Sequence, residues 1–358
     1  MSVHVLGIGA MGSLLAHELV AARLSPILLV KHSTIKQNLH SLNNTMTLAR
    51  HSDSGIIYNT TKMAVRQKPT LEEWDKTMAI TDMIVATKTH STKEALTPYV
   101  PYMTPDTNLI FVQNGMGAVP SVIDALWQGR QEPNVYHVIS SHGAYKERVN
   151  LTHHVGMGSL TIARVPLREA FRNGSSEHSN EKEPVPNVIQ ALLDSPNLDA
   201  SLASYPEFLV AQMEKLVVNA CINPITALMD CKNGDLLRST NCISMMKKVI
   251  EECVDCFRSD SEVYASVPEV HAILSKERLL QCVLDVSYKT EKNSSSMRED
   301  VRNVKLTEID AINGYIVDLG RKNGVPTPLN QTLTTMIRAK HQIGQAKERA
   351  AIETFSTR

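Results

Sequence analysis

The chain of 358 residues carries no net charge, with 37 lysines and arginines against 37 aspartates and glutamates. That balance argues against a nucleic-acid coat and against a polybasic membrane-surface protein, so neither nucleic acid nor membrane is expected as a partner. The sequence also lacks any run of about 18 apolar residues, the length a helix needs to span a bilayer. No leader is visible: Met1-Ser2 runs straight into Val3-His4-Val5-Leu6, without a basic stretch, an apolar core or a cleavage site. The expected location is therefore cytoplasmic. On that reading the Asn-x-Ser/Thr triplets at Asn59, Asn150 and Asn293 are chance matches. No cysteine precedes Cys221; the six (Cys221, Cys231, Cys242, Cys253, Cys256, Cys282) all fall in the C-terminal half. A disulfide framework is not expected in a chain this long without a secretory signal. Cys253 and Cys256 have redox-motif spacing but follow a helical pattern at 245–250, which points to buried, reduced thiols.

What remains is ordinary globular material, 42% hydrophobic and 21% charged, long enough for about two domains. Two styles of sequence meet near residue 205. Before it, short apolar runs at Val3–Leu6, Pro26–Val30, Met83–Thr87, Asn108–Val112 and Val135–Ser140 read as buried parallel strands, with a helix at Gly12–Arg23 between the first two. Strand–helix alternation predicts a doubly wound sheet. Val155–Gly158 and Leu160–Ala163 are expected as an antiparallel edge. From Pro206 onward helical stretches dominate, at about 206–229, 234–257, 267–292, 305–323 and 328–350. The expected division is an α/β Rossmann domain at 1–204 and an all-α domain at 205–358. A polar insertion at about 168–186, with no apolar residue from Asn173 to Glu183, is expected as a surface loop.

Gly7-Ile8-Gly9-Ala10-Met11-Gly12 has the G-x-G-x-x-G spacing, after a strand and at the start of a helix. The first glycine allows a tight turn, the second a close approach to a pyrophosphate, the third helix–strand packing. The helix N-terminus then offers free N–H groups to the phosphates. Where an NAD enzyme usually carries an acid, at the end of the second strand, this chain has Lys31-His32-Ser33. Lys31 is the candidate for the 2′-phosphate of NADP. Lys88, after the Met83–Thr87 strand, sits where parallel sheets bind ligands. Asn114, between Gln113 and Gly115, can both donate and accept.

In the helical half, Lys215, Asn219 and Asn223 are spaced by four and share one helix face, flanked by Leu216, Val217, Val218 and Ile222. Polar groups beside so much apolar surface suggest a lined cleft; a solvent-facing helix edge is the bland alternative. Cys231–Asp235 reads as a turn after that helix, Asn293–Met297 as a hydroxyl-rich helix end, and Thr307–Gly314 as a helix start with Glu308 near its N-terminus. Capping alone would account for any of these three.

Together these pieces resemble the ketopantoate reductase (2-dehydropantoate 2-reductase) family: GIGAMG at 7–12, ATK at 86–88, QNGMG at 113–117, KLVVNACINPITAL at 215–228, CKNGDL at 231–236, NSSSM at 293–297 and TEIDAINGYI at 307–316. The resemblance implies a Rossmann domain, a helical domain like the C-terminal domain of 6-phosphogluconate dehydrogenase, and a site in the cleft between them. It implies NADPH-dependent reduction of 2-dehydropantoate to (R)-pantoate, on the route to pantothenate and coenzyme A. By the same token Lys215 is the expected general acid, and Glu308 is expected to bind the substrate hydroxyl and to reach the cofactor. Asn114, Asn219, Asn223, Asn233 and Ser296 are expected to hold cofactor or substrate, and Asn293 is a further polar position there. No metal is implied, and the assembly is expected to be a monomer or homodimer. The family often has arginine at Lys31, which shifts part of the 2′-phosphate contact to His32 or Ser33. Two other readings stand beside this one: a related NADP-dependent reductase of another 2-keto or 3-keto acid, and a non-catalytic NADPH sensor.

Overall fold

The computed structural model describes residues 1–67, 79–166, 184–260, 267 and 269–356. The chain divides into two compact units, Met1–Gln113 with Val119–Phe208, and Asn114–Ala118 with Leu209–Arg358.

The elements of the first unit are, in order, Ser2–Leu6 (β1), Ala10–Ala21 (α1), Ser25–Val30 (β2), Ser33–Ser41 (α2), Thr45–Ser52 (β3), Gly55–Lys62 (β4), Ala64–Gln67 (β5), Ile80–Val85 (β6), Thr89–Leu96 (α3), Met103–Val112 (β7), Ala118–Leu126 (α4), Asn134–Ser140 (β8), Gly143–Arg148 (β9), Leu151–Gly156 (β10), Leu160–Arg164 (β11), Asn187–Leu193 (α5) and Ala200–Leu202 (β12). Eight strands form one sheet in the order β12-β11-β8-β7-β6-β1-β2-β5. From β8 to β5 all pairs are parallel. The five expected central strands are there, with β6 ending at Val85 and β7 starting as early as Met103. Their apolar side chains are buried on both faces of the sheet, as parallel strands covered by helices require. Strand order reverses between β1 and β6, the switch point at which such sheets bind ligands.

The expected antiparallel edge differs. Leu160–Arg164 does run antiparallel to β8, but β12 pairs outside it in parallel. Val155 and Gly156 end β10, which belongs to a second sheet of order β4-β3-β10-β9. That sheet joins distant segments: Leu151 lies opposite Thr47 in a parallel pair. Its role is visible in α1, where Gly12 to Leu19 are all buried. A helix lying on one sheet keeps a polar face in water; α1 contacts the second sheet as well, at β3, β9 and β10. Buried Glu18 therefore needs partners, and it bonds Arg50 of β3, Ser195 and Asn197. The expected loop at 168–186 lies outside the described residues as far as 183.

The second unit is helical, as expected. It takes in most of Tyr205–Met229 (α6), followed by Thr240–Ser259 (α7), Val270–Ile273 (α8), Lys276–Lys289 (α9), Ser296–Arg302 (α10), Asn313–Asn323 (α11) and Pro328–Ser356 (α12). Three expected helices are broken by their own caps. Asn233–Arg238 is a 3₁₀ turn, because Ser239 takes an extended backbone and its hydroxyl accepts from Cys242 N to start α7. Ser275, also extended, separates α8 from α9. Ile309–Ala311 is a single 3₁₀ turn, and Ile312 leaves helical geometry before α11 begins. Gly324, at φ +72, closes α11 in the left-handed conformation. Cys253 and Cys256 are fully buried on α7, and all six thiols are free. Among the described residues no helix is long and apolar enough to cross a membrane.

Candidate active site

The turn after β1 has the shape expected of its three glycines. Gly7 has φ +97, and a Cβ there would lie 2.7 Å from the backbone of Ala86, just past β6. A Cβ on Gly12 would lie 2.0 Å from the Gly7 carbonyl, so the helix packs on the turn only if this residue is glycine. A Cβ on Gly9 would meet nothing within 4 Å. The first and third glycines thus serve the protein's own packing, while the second faces open space. Ile8 lies within the turn, and Ala10 and Met11 form the first turn of α1, whose leading N–H groups have no partner inside the helix. These features fit the pyrophosphate of a dinucleotide.

Lys31 follows β2 and is exposed, 3.1 Å from Glu94 of α3; a pair this exposed contributes little and leaves the ammonium accessible. Lys88 caps α3, its carbonyl accepting from Ser91 N, Ser91 Oγ and Thr92 Oγ1. Gln113 ties the next loop to this one by donating to the Thr87 carbonyl at 2.7 Å. The glycine turn, Lys31 and Lys88 therefore follow β1, β2 and β6 at the carboxyl end of the sheet. Sequence reasoning missed Lys146 on β9. Its ammonium donates to the Ile8 carbonyl and, at 3.2 Å, to Ser13 Oγ, inside the turn itself.

In the second unit three expected residues come together. Lys215 Nζ donates to Asn114 Oδ1 at 3.0 Å, and Asn114 Nδ2 donates to Glu308 Oε2 at 3.2 Å. The amide is oriented by its neighbours, oxygen toward the cation and nitrogen toward the carboxylate. The backbone enforces the meeting. Gly115 has φ +80, and a Cβ there would lie 2.3 Å from the Ala311 carbonyl, which accepts from Met116 N at 2.9 Å. Gln212, a turn before Lys215 on α6, donates to the Gly115 carbonyl at 3.0 Å. Burial lowers the Lys215 pKa to about 8, against an upward pull from Glu308. Glu308 precedes a 3₁₀ turn rather than leading an α-helix, so the expected interaction with a long helix dipole is replaced by its bond to Asn114.

Asn219 (half-buried) and Asn223 (buried) follow Lys215 at one and two turns along α6. Pro224 comes next, inside the helix, and having no N–H it leaves the Ala220 carbonyl without its intrahelical donor. Asn313 Nδ2 fills that gap at 3.1 Å and also reaches Asn330 Oδ1 at 2.9 Å. Glu252 then accepts from Asn330 Nδ2 at 2.7 Å and from the amides of Leu329 and Asn330. This stretch of α6 is therefore held by a network, buried at Asn313 and Asn330 and half-buried at Glu252, that spacing alone did not reveal.

The remaining candidates lie between the end of α6 and the start of α10 in the chain. Asn233 is buried, donates through Nδ2 to Thr290 Oγ1 at 2.9 Å and through its backbone to the Asn293 carbonyl at 3.1 Å. Its Oδ1 has no hydrogen-bond partner among the described residues. Asn293 contributes its carbonyl to that contact while its side chain is exposed. Ser295, not Ser296, is the capping hydroxyl of α10: it accepts from Arg298 N and bonds Thr226 Oγ1 of α6 at 2.7 Å. Ser296 is left exposed beside it.

Residues 3–166 match the family described as "Ketopantoate reductase PanE/ApbA", and residues 207–341 match "Ketopantoate reductase PanE/ApbA C terminal". A probable 2-dehydropantoate 2-reductase of Schizosaccharomyces pombe is 36% identical over 98% of both chains. The 2-dehydropantoate 2-reductase of Saccharomyces cerevisiae is 30% identical over 89% of this chain and 88% of its own. Among solved structures, a probable 2-dehydropantoate 2-reductase of Bacillus subtilis superposes with a TM-score of 0.68 at 21% identity, covering 95% of this chain and 100% of that one. A D-mandelate dehydrogenase solved with NADH and anilino(oxo)acetate superposes with a TM-score of 0.73 at 20% identity, over 96% and 99%. Likenesses that low in identity speak to the fold alone, a Rossmann-type sheet with a helical second unit; the two yeast relatives and the matched family make the class an oxidoreductase. At the level of sequence the assignment is narrower: the chain belongs to the ketopantoate reductase family.

Proposed function

We propose that this chain reduces 2-dehydropantoate to (R)-pantoate with NADPH, Lys215 acting as the general acid. The observation that carries the reading is the chain of bonds from Lys215 through Asn114 to Glu308 on the helical unit. Reducing a keto group needs a proton on its oxygen as well as a hydride on its carbon. NADPH, when bound, supplies the hydride. Gly7, Ile8, Gly9, Ala10, Met11 and Gly12 would cradle its pyrophosphate, Lys31 would meet its 2′-phosphate, and Lys88 would add charge beside them. The rest falls to residues of the second unit. Lys215, as an ammonium, stabilises the alkoxide that develops on the carbonyl oxygen and then donates to it. With its pKa lowered to about 8, it is still largely protonated at neutrality yet gives up its proton readily. Asn114 fixes the direction of the ammonium, and Glu308 fixes Asn114 and binds the substrate hydroxyl. Asn219, Asn223, Asn233, Asn293 and Ser296 hold the acid's oxygens without adding charge. On this reading the enzyme works in the cytoplasm, as a monomer or homodimer, on a small 2-keto acid and with no nucleic-acid or membrane partner.

NADPH oxidation with 2-dehydropantoate, beside a panel of other 2-keto and 3-keto acids, tests the proposal. The expected result is a clear preference for 2-dehydropantoate, and a loss of about a thousandfold in turnover for Lys215→Ala with NADPH binding retained. Near-normal turnover in that variant rejects Lys215 as the acid. Binding of NADPH without turnover of any keto acid favours a sensor. Better use of NADH than NADPH by the wild type rejects the role of Lys31.

A further inference from the structure

Lys146 enters the glycine turn from β9, with its ammonium on the Ile8 carbonyl and on Ser13 Oγ. Both partners are neutral. A cation held mainly by neutral groups away from water is costly unless something anionic meets it. None of the described acids does so. Glu18, on α1, is taken by Arg50, Ser195 and Asn197. Glu147, the next residue on β9, bonds His153 of β10 and Arg148. The other titratable groups on the elements packed around β9 are His17 on α1, His154 on β10, and His51 and Arg50 on β3, none of which supplies negative charge. Burial alone lowers the Lys146 pKa, to about 8. The ammonium also stands at the N-terminal turn of α1, where the helix dipole is itself positive. Burial and the helix dipole therefore disfavour this charge, with only two neutral acceptors on the other side, and an anion on the turn would reverse that.

We propose that Lys146 is a positioning residue of the cofactor site: it fixes the Ile8 carbonyl so that the turn keeps its shape, and its charge is recruited by the pyrophosphate of the bound dinucleotide. The inference rests on the reading of the turn as an NADPH site. It leads to a linkage that a merely structural lysine lacks. Near pH 8 about half of the Lys146 side chains are neutral, so a bound anion that raises the pKa must draw in protons.

The experiment measures NADPH affinity by fluorescence, 2′-AMP affinity by competition, and proton uptake at pH 8 by calorimetry in two buffers of different ionisation enthalpy. It compares the wild type with Lys146→Met, Lys146→Gln and Lys215→Met. In the wild type, uptake of about half a proton per NADPH is expected from Lys146. Lys146→Met should remove that share and weaken NADPH by about tenfold, while changing 2′-AMP, which has no 5′-phosphate, less than twofold. Lys146→Gln still offers the Ile8 carbonyl a donor; it should fold, keep 2′-AMP binding and lose the uptake, and it carries the test if the methionine variant does not fold. Lys215→Met should retain the share due to Lys146. Unchanged NADPH affinity or persistent uptake in both Lys146 variants overturns the proposal, as does equal weakening of 2′-AMP. A wild type that does not bind NADPH overturns the cofactor reading itself.

Discussion

Glu308→Gln removes one charge from the Lys215–Asn114–Glu308 cluster while keeping its shape, since the glutamine carbonyl can still accept from Asn114 Nδ2, and it tests the proposed role of Lys215. In the native chain burial lowers the Lys215 pKa to about 8 and Glu308 holds it up. The two charges are joined by bonds of 3.0 and 3.2 Å through one amide, which puts them roughly 6–7 Å apart. At an effective dielectric of about 20, that separation corresponds to about 2.5 kcal/mol, or nearly two pKa units. Both groups are half-buried, and solvent screening leaves about one unit of this. Lys215 must be protonated to donate, so kcat/KM for reduction falls as pH rises through its pKa. In Glu308→Gln that fall should therefore begin about one pH unit lower than in the wild type. The assay is kcat/KM against pH at saturating NADPH, followed by its absorbance. Loss of a substrate contact through Glu308 would scale the whole profile without moving its alkaline limb, so the two effects separate. A limb that stays in place, or moves to higher pH, would refute the electrostatic coupling of Glu308 to Lys215.

Three more outcomes are expected. Gly9→Ala should leave the stability of the free protein within about 0.5 kcal/mol but abolish tight NADPH binding, whereas Gly12→Ala, meeting the Gly7 carbonyl, should destabilise by more than about 3 kcal/mol; urea unfolding and NADPH titration read the contrast, and similar behaviour of the two variants would refute it. His4, His17 and His154 all have pKa values lowered from 6.5 to about 4, chiefly by burial, so the unfolded chain binds more protons between those limits and stability must fall as pH drops from 6.5 to 4; a loss of about 3–5 kcal/mol between pH 7 and 5 in urea unfolding is expected, and a flat profile would show the three rings to be accessible. Asn313→Ala should cost about 2–3 kcal/mol because it strips a donor from the Ala220 carbonyl and from Asn330, and the cost should shrink by about 1 kcal/mol in a Pro224→Ala background, where the helix regains its own N–H; additive effects would deny the link.

The central sheet was legible because a strand buried on both faces is an unbroken apolar run, and β1, β2, β6, β7 and β8 are such runs. The second sheet was not. Its strands carry threonines, histidines and arginines, and its parallel pair joins Thr47 to Leu151, a contact no local pattern announces. One sign was present all the same. The sequence from Gly12 to Leu19 has no polar face apart from Ser13, His17 and Glu18, and a helix without a wet side needs cover on both. In the second unit the extent of helix was legible but its breaks were not: the apolar period runs on across Ser239, Ser275 and Ile312, and the caps that interrupt it are single residues with extended or otherwise non-helical backbone.

The site was legible where it is periodic and illegible where it is long-range. A spacing of four on one helix singles out Lys215, Asn219 and Asn223 as candidates, but nothing in the chain between Asn114 and Glu308 foretells their bond. Lys146 escaped because its partners, a backbone carbonyl and the hydroxyl of Ser13, lie more than 130 residues away and carry no sequence signature of the contact. Pro224 is the instructive case. The expected helix at about 206–229 runs across it and is found to reach Met229, and Asn313 supplies the donor the proline lacks. Asn313 opens α11, two residues past the Ala311 carbonyl that binds the Asn114 loop. The segment that brings Glu308 to Asn114 therefore also completes the helix that carries Lys215. A proline that looks like a defect in the helix thus gives α6 an acceptor for the segment that carries Glu308, so one short stretch of chain supports both ends of the Lys215–Asn114–Glu308 chain of bonds.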